Sequence, residues 1–398
     1  GFATPRIWSV NPPRKEICLN LDVRQLGLGT NSCGPRPEST FIPKVEDETW
    51  TVVMTPVKAT WRPKERWRGF NLLGMLLSRA HSSPPASDPN FSRTPGYFTE
   101  DEFRWIREWG FNFARLPLDY RCWIKGGDWN AIDEKSIKRI DEAIGFGRKY
   151  GVHVQLCFHR APGFCINPPE EPKDLFRDAE ALDVCAKHWA YFARRYRGIP
   201  NDELSFDLFN EPSYPESAAR TNIVRVVRRL IDAIHDEDPE RFIVADGYWC
   251  GRTPVSELYS TPEISQSLHE YDPFDLSHFK VPWRQDGSKT PPVWPPKGVT
   301  NGVDWLERNC YRKWDSAEAA GVFLFVGECG CYSETPHPVL LAWMEDQLKV
   351  WKRRGYGWAL WNLRGRFGIL DSERSDVKYE EFEGHRLDKD YLELLRKY

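Results

Sequence analysis

The chain has 398 residues, a formal net charge of −3 and an apolar share of 40%. That length suits one large domain, the apolar share can fill a buried core, and the near-neutral charge gives no reason to expect a nucleic-acid or anionic-membrane partner. No apolar run approaches the ~20 residues that cross a bilayer, and no charged-then-apolar secretion signal opens the chain, so compartment and oligomeric state stay open.

In chain order, residues 1–58 come first, as a small accessory β segment. Leu19–Leu28, Ser39–Ile42 and Thr49–Pro56 read as strands separated by Gly and Pro. Three short strands bury too little to fold alone, so the segment is expected to pack on the larger remainder of the chain. Trp61–Trp67 is a basic, aromatic connector. From there to residue 398, short apolar runs alternate with helical patterns.

The run Gly69–Leu76 is followed by a helix at Glu100–Trp109, with Thr99 as its cap and Glu102 in the capping-box position. The run Asn112–Leu118 precedes a helix at Asp133–Tyr150, and Val152–His159 precedes one at Leu182–Arg197, both with apolar residues at three and four spacing. Leu204–Asn210 leads to a helix at Ala218–His235. Phe242–Asp246 leads to the weakest crossover, near Pro254–Tyr259. Ser265–Tyr271 leads to Val303–Ala320, Val322–Glu328 to Pro338–Arg354, and Gly357–Asn362 is the last run.

Runs apolar on both faces predict parallel strands covered on two sides. Eight of them alternating with helices predict an α/β fold, a (β/α)8 TIM barrel with a small N-terminal β segment. The loops Arg160–Phe176 and Asp272–Thr300 are too long for mere connectors, and the second carries Trp283 and Trp294.

In such a barrel the functional groups sit at the C-terminal ends of the strands. The runs end near Arg115, His159, Asn210-Glu211, His269, Tyr271, Glu328 and Trp361. Any one of these could be a satisfied core polar group, but their convergence points to a site. Glu211 and Glu328 end the fourth and seventh runs. Glycosidic cleavage needs two such carboxyl groups. One protonates the leaving oxygen, and the other attacks the anomeric carbon and must be ionised. Arg115 or the Tyr271 hydroxyl could hold the nucleophile ionised.

The 18 Trp, 15 Tyr and 22 Phe fit either a large aromatic core or a cleft lined for sugar rings. Ten Cys with no CxxC pair argue against a disulfide scaffold and against zinc. Only His159 and His269 end strands, with no His-x-His pair, so neither a metal nor another cofactor is expected.

The motifs resemble glycoside hydrolase family 5, the cellulase family, over about residues 66–398. SFDLFNEP (Ser205–Pro212) is similar to its Asn-Glu-Pro signature, and GFNFARLPL (Gly110–Leu118) to its second strand. VQLCFHRAPG (Val154–Gly163), HEYDPF (His269–Phe274), VGECG (Val326–Gly330), WALWN (Trp358–Asn362) and FGILD (Phe367–Asp371) follow in the family's order. The resemblance implies a retaining hydrolase of β-linked oligo- or polysaccharides, of which a β-1,4-glucanase is the leading expectation. Mannanases, exo-acting glucosidases and a non-catalytic carbohydrate-binding barrel are the alternatives. Glu211 would be the acid/base and Glu328 the nucleophile. Arg115, His159, Asn210, His269, Tyr271 and Trp361 would be their support, with Asn210 on the sugar 2-hydroxyl and Trp361 under the −1 sugar. Cys329 departs from the family, standing where relatives often carry a larger residue, and is expected to alter subsite shape.

LDVRQLGLGTNSCGP (Leu21–Pro35) resembles part of the C-terminal β domain of family 2 β-galactosidases, over about residues 7–57. Cys33 stands at the position of that motif's sugar-contacting Trp, which implies an accessory segment and not a galactose site.

Overall fold

A computed structural model describes residues 61–74, 98–213, 217–261, 264–284 and 287–398, without the side chains of 217–220. The expected N-terminal β segment, 1–58, and the later part of the first run, from residue 75, lie outside the described residues. Eight parallel strands close into a barrel: β1 (Arg68–Asn71), β2 (Phe113–Asp119), β3 (His153–Arg160), β4 (Leu204–Asp207), β5 (Ile243–Asp246), β6 (Ile264–Glu270), β7 (Leu324–Cys329) and β8 (Gly357–Leu360). Each strand pairs with its neighbours in sequence, and β1 closes the ring on β8 with Gly69 opposite Ala359. The expected (β/α)8 barrel is the fold. Nearly every strand residue is buried, because side chains of one parity fill the barrel and those of the other pack under helices.

Gly69 is fixed by this closure. A Cβ there would sit 1.7 Å from the carbonyl oxygen of Phe113, so no side chain fits where β1 meets β2.

The helices follow the caps written in the sequence. In α1 (Glu100–Glu108), the Thr99 hydroxyl accepts from the Asp101 N–H, and the Glu102 carboxylate accepts from the Thr99 N–H at 2.7 Å. Asp133 caps α2 (Glu134–Tyr150), which ends at Gly151 with φ 65°. Asp178 caps α3 (Ala179–Arg195), and α4 (Ser217–His235) follows.

Two crossovers differ from expectation. Pro254–Tyr259 holds only a short turn at Ser256–Leu258. The buried Gln266 side chain takes the place of a helix there, accepting the Val255 N–H at 2.8 Å and donating to the Val255 carbonyl at 3.0 Å. The expected continuous helix Val303–Ala320 is broken into α5 (Gly302–Leu306), a wide turn at Glu307–Tyr311, a tight turn at Arg312–Trp314 and α6 (Asp315–Ala319). The wide turn buries both Cys310 and Tyr311. It turns the Tyr311 hydroxyl onto Gln347 and Trp351 of α7 (His337–Arg354). The chain closes with a hairpin, Glu380–Phe382 with His385–Leu387, and α8 (Lys389–Lys397), neither of them expected. Among the described residues, no helix is long and apolar enough to cross a membrane.

The N-terminal end of the barrel is plugged by Trp67, Phe113, Phe242 and Phe325, with Trp61 and Phe323 packed against them. His153 lies in this plug, 4.5 Å from the Trp67 ring, and burial pushes it down to about 3, so it is a neutral core histidine. Trp67→Ala should open a cavity here and cost about 3–5 kcal/mol in chemical denaturation. A loss below about 1 kcal/mol would mean that the plug collapses around the gap.

Candidate active site

The other end of the barrel is polar. Arg115, on β2, has no exposed side-chain surface. Its five N–H donors meet five acceptors. Nε donates to Asp207 at 2.9 Å. One terminal nitrogen donates to Asn71 at 3.0 Å and Glu328 at 2.8 Å. The other donates to Asn210 at 2.8 Å and to the Cys157 sulfur at 3.0 Å. Burial opposes the guanidinium charge, but Asp207, Glu328 and Asp246 hold it ionised.

Glu328, on β7, therefore has one oxygen on Arg115 and the other accepting from the Tyr271 hydroxyl at 3.1 Å. Burial pushes its carboxyl up to about 7, with Glu211 adding to the rise and His269 and Arg115 opposing it.

Glu211 follows β4 with φ 54°, in the left-handed region that costs a non-glycine residue about 1–3 kcal/mol. Its N–H donates to Asp246 at 2.9 Å, and its carboxylate lies 2.8 Å from His269 Nδ1. The other His269 nitrogen is 3.2 Å from Asp246. Burial opposes a charge on this imidazole, but Asp246 and Glu328 outweigh it and hold His269 well above its usual range.

One oxygen each of Glu211 and Glu328 and one ring nitrogen of His269 lie within 4.8 Å of one another. A second such trio, Glu270, Asp272 and Cys310, lies behind β6. Burial pushes Glu270 up to about 7 and raises the Cys310 thiol.

The remaining expected residues are here too. His159 is buried and pushed down to about 3, and its ring stacks on Trp361 at 5.5 Å. Trp361 joins Tyr271, Tyr332, Val281 and Phe367 in an apolar cluster beside Glu328. With the Asn210 carbonyl turned to Arg115, its amide nitrogen is a buried donor without a partner among the described residues.

One expectation needs correction. Cys329 does not shape a subsite: it alternates with Glu328 on β7, lies in the core outside the barrel lumen, and its thiol faces the Ala359 carbonyl at 3.6 Å. Of the two Trp in the long loop, Trp294 packs its ring on Trp305 and donates its N–H to Asp346 of α7 at 3.0 Å, so it anchors the loop. Trp283 is 44% exposed over Tyr332 and Phe367.

Asn71, Asp207, Asp246 and Cys157 belong to the site and were not expected. Asp246 ends both its run and β5, so the strand-end rule would have found it, whereas Asn71 ends β1 but lies inside the longer run Gly69–Leu76. Asp207 ends β4 but lies inside the run Leu204–Asn210, Cys157 lies within β3, and neither carries a local signal. After β5, Trp249 is 50% exposed on a turn whose Cys250 N–H donates to the Pro212 carbonyl at 3.3 Å, next to Glu211.

The cellulase family, glycosyl hydrolase family 5, matches residues 84–366. Cellodextrinase A of Ruminococcus flavefaciens is 24% identical over 296 residues, covering 72% of this chain and 82% of that protein. Endoglucanase C of Acetivibrio thermocellus is 23% identical over 313 residues, covering 71% and 89%. A crystal structure described as a glycoside hydrolase is 32% identical, with a TM-score of 0.74 over 83% of this chain and 99% of that one. The Thermotoga maritima Cel5A complex with mannotriose is 21% identical, with a TM-score of 0.65 over 83% and 97%, and shares the fold. The closed barrel, the strand-end carboxylates and these matches agree: the chain belongs to glycosyl hydrolase family 5, the cellulase family, and is a retaining glycoside hydrolase.

Proposed function

We propose that the protein cleaves β-1,4-linked glucan chains by double displacement, with Glu328 as nucleophile and Glu211 as acid and then base. The observation that carries this is that one oxygen of Glu211 and one of Glu328 lie within 4.8 Å of each other, close enough for a retaining pair. Retention needs a separation of about 5 Å, whereas inversion needs about 6.5–9.5 Å to seat a water. The names of the relatives, a cellodextrinase and an endoglucanase, favour β-glucan. Exposed Trp249 and Trp283 offer aromatic faces to a chain of sugars.

In the first step Glu211 protonates the leaving oxygen while Glu328 attacks the anomeric carbon. Arg115 and Tyr271 hold the attacking group between them, and the unpartnered Asn210 amide is the donor for the sugar 2-hydroxyl. In the second step Glu211 takes a proton from water, which displaces Glu328 with a second inversion.

A panel of soluble polysaccharides with product sizing tests the substrate. Release of cello-oligosaccharides from β-glucan is the expected result, and turnover of mannan alone would move the assignment to another sugar.

Glu328 also sets a pH dependence. It must be ionised to attack, and its carboxyl is held near 7, so protonation removes the nucleophile below that pH. The acidic limb of kcat/KM should lie well above the ~4.3 of an ordinary glutamate. A limb at that ordinary value would contradict the buried environment described.

A further inference from the structure

Asp246 ends β5 with no exposed side-chain surface. A single oxygen, Oδ2, collects three partners. It accepts the Glu211 N–H at 2.9 Å, lies 3.2 Å from His269 Nε2, and is 3.8 Å from Arg115. The far side of the same imidazole meets Glu211 at 2.8 Å and Glu328 at 3.6 Å. One buried carboxylate thus touches the backbone of one reacting glutamate and, through His269, the side chains of both.

We propose that Asp246 is a positioning residue for the reaction: it anchors Glu211 in its left-handed backbone and keeps His269 charged, so that Nδ1–H stays a donor to Glu211. This rests on the glycosidase reading above. It explains why Glu211 tolerates φ 54°, since its amide has a charged acceptor in place. It also gives His269 a defined role. An imidazolium between two carboxylates steadies Glu211 when it has lost its proton to the leaving group, and it gives up no proton of its own. A neutral imidazole could put a lone pair towards Glu211 and would no longer compensate the acidic cluster.

The ionisable groups around Asp246 come from every side of the lumen. Arg115 and His269 are the bases held charged, and His159 is neutral. Glu211, Glu328 and Asp207 are the acids, the last pushed up to about 7 by burial and by Asp246 itself. Cys157 and Cys250 are thiols held protonated by burial. Burial favours the neutral acid for Asp246, but His269 and Arg115 hold it below the usual carboxylate value. Removing its charge lets His269 lose its proton, so the cluster gives up one negative and one positive charge together.

The test compares Asp246→Asn with wild type on an aryl cellobioside across pH. Asparagine keeps an oxygen for the Glu211 N–H but not the charge. The acidic limb of kcat/KM should move to higher pH, because the Glu328 carboxyl loses the His269 charge that opposes its rise, an effect larger than the lost repulsion of Asp246, and kcat at pH 7 should fall on the order of 10-fold or more with KM little changed. A variant with wild-type limbs and kcat, altered only in its melting temperature, would reduce Asp246 to a structural role and overturn the proposal.

Should that variant not fold, the wild-type protein gives a second reading. The ¹⁵N ring shifts of His269, assigned by their loss in His269→Gln, should stay those of an imidazolium from pH 5 to about 8. An imidazole that titrates near its ordinary ~6.5 would overturn the proposal. Wild-type turnover separates the two levels: no cellobioside cleavage would defeat the β-glucan reading, while the histidine shifts still decide whether His269 is held charged.

Discussion

Glu328→Gln should lose turnover on the order of 10⁶-fold, the scale seen when a covalent nucleophile is removed. The amide keeps the shape and the hydrogen-bonding oxygen that Arg115 meets, so the loss reports the missing charge and not a collapsed site. Stability should move differently. The carboxyl is held near 7 in the folded protein, above its ~4.3 in an unfolded chain. A raised carboxyl pKa means that folded-state stability is lost as pH rises through about 7, because the ionised group is disfavoured there. At pH 8 the amide variant should therefore melt no lower than wild type. An inactive variant that melts far lower would point instead to a structural salt bridge with Arg115. In Glu328→Gly, azide should restore turnover with an α-azide product, since the anion attacks from the face the carboxylate occupied.

Glu211→Gln should slow natural substrates by about 10²–10⁴-fold, the usual worth of a general acid. The effect should depend on the leaving group. A dinitrophenyl glycoside departs without a proton, so its first step should be nearly spared while the glycosyl-enzyme accumulates, because no base remains to activate water. Azide needs no base and should release that intermediate as the β-azide. Uniform loss across leaving groups, with no azide effect, would remove Glu211 from the acid/base role.

These expectations rest on a site whose two strand-end carboxylates were legible and whose electrostatics were not. Glu211 and Glu328 could be read because each ends an apolar run that is buried on both faces, and such runs are bounded sharply in sequence. The cap at Thr99 and Glu102 was legible for a similar reason, since its chemistry is local. The break at Glu307–Tyr311 was not, because it is set by Tyr311 reaching Gln347 and Trp351 on a distant helix. Whether Trp294 faced core or cleft was equally beyond local sequence, because Asp346 of a distant helix holds its N–H. The C-terminal α8 did carry a signal, with Asp388 as cap and Tyr391, Leu392 and Leu395 at helical spacing.

The charge on His269 is the clearest case of information that local sequence lacks. Three carboxylates, from the ends of β4, β5 and β7, converge on one ring carried by β6. None is within helical or strand spacing of another. Asp246 ends its run and was open to the same rule that found the others, whereas Asn71, Asp207 and Cys157 become part of the site only when Arg115 reaches across the barrel to them.

The measurement that tests the central claim most directly is covalent trapping. A 2-deoxy-2-fluoro cellobioside with a dinitrophenyl leaving group should form the glycosyl-enzyme quickly and release it slowly, because the fluorine destabilises both oxocarbenium-like transition states while the good leaving group speeds only the first. Mass spectrometry of the digested protein should find one added glycosyl unit, on the peptide carrying Glu328. Label on any other residue, or no label together with an initially inverted product, would contradict the double displacement assigned to this pair of carboxylates.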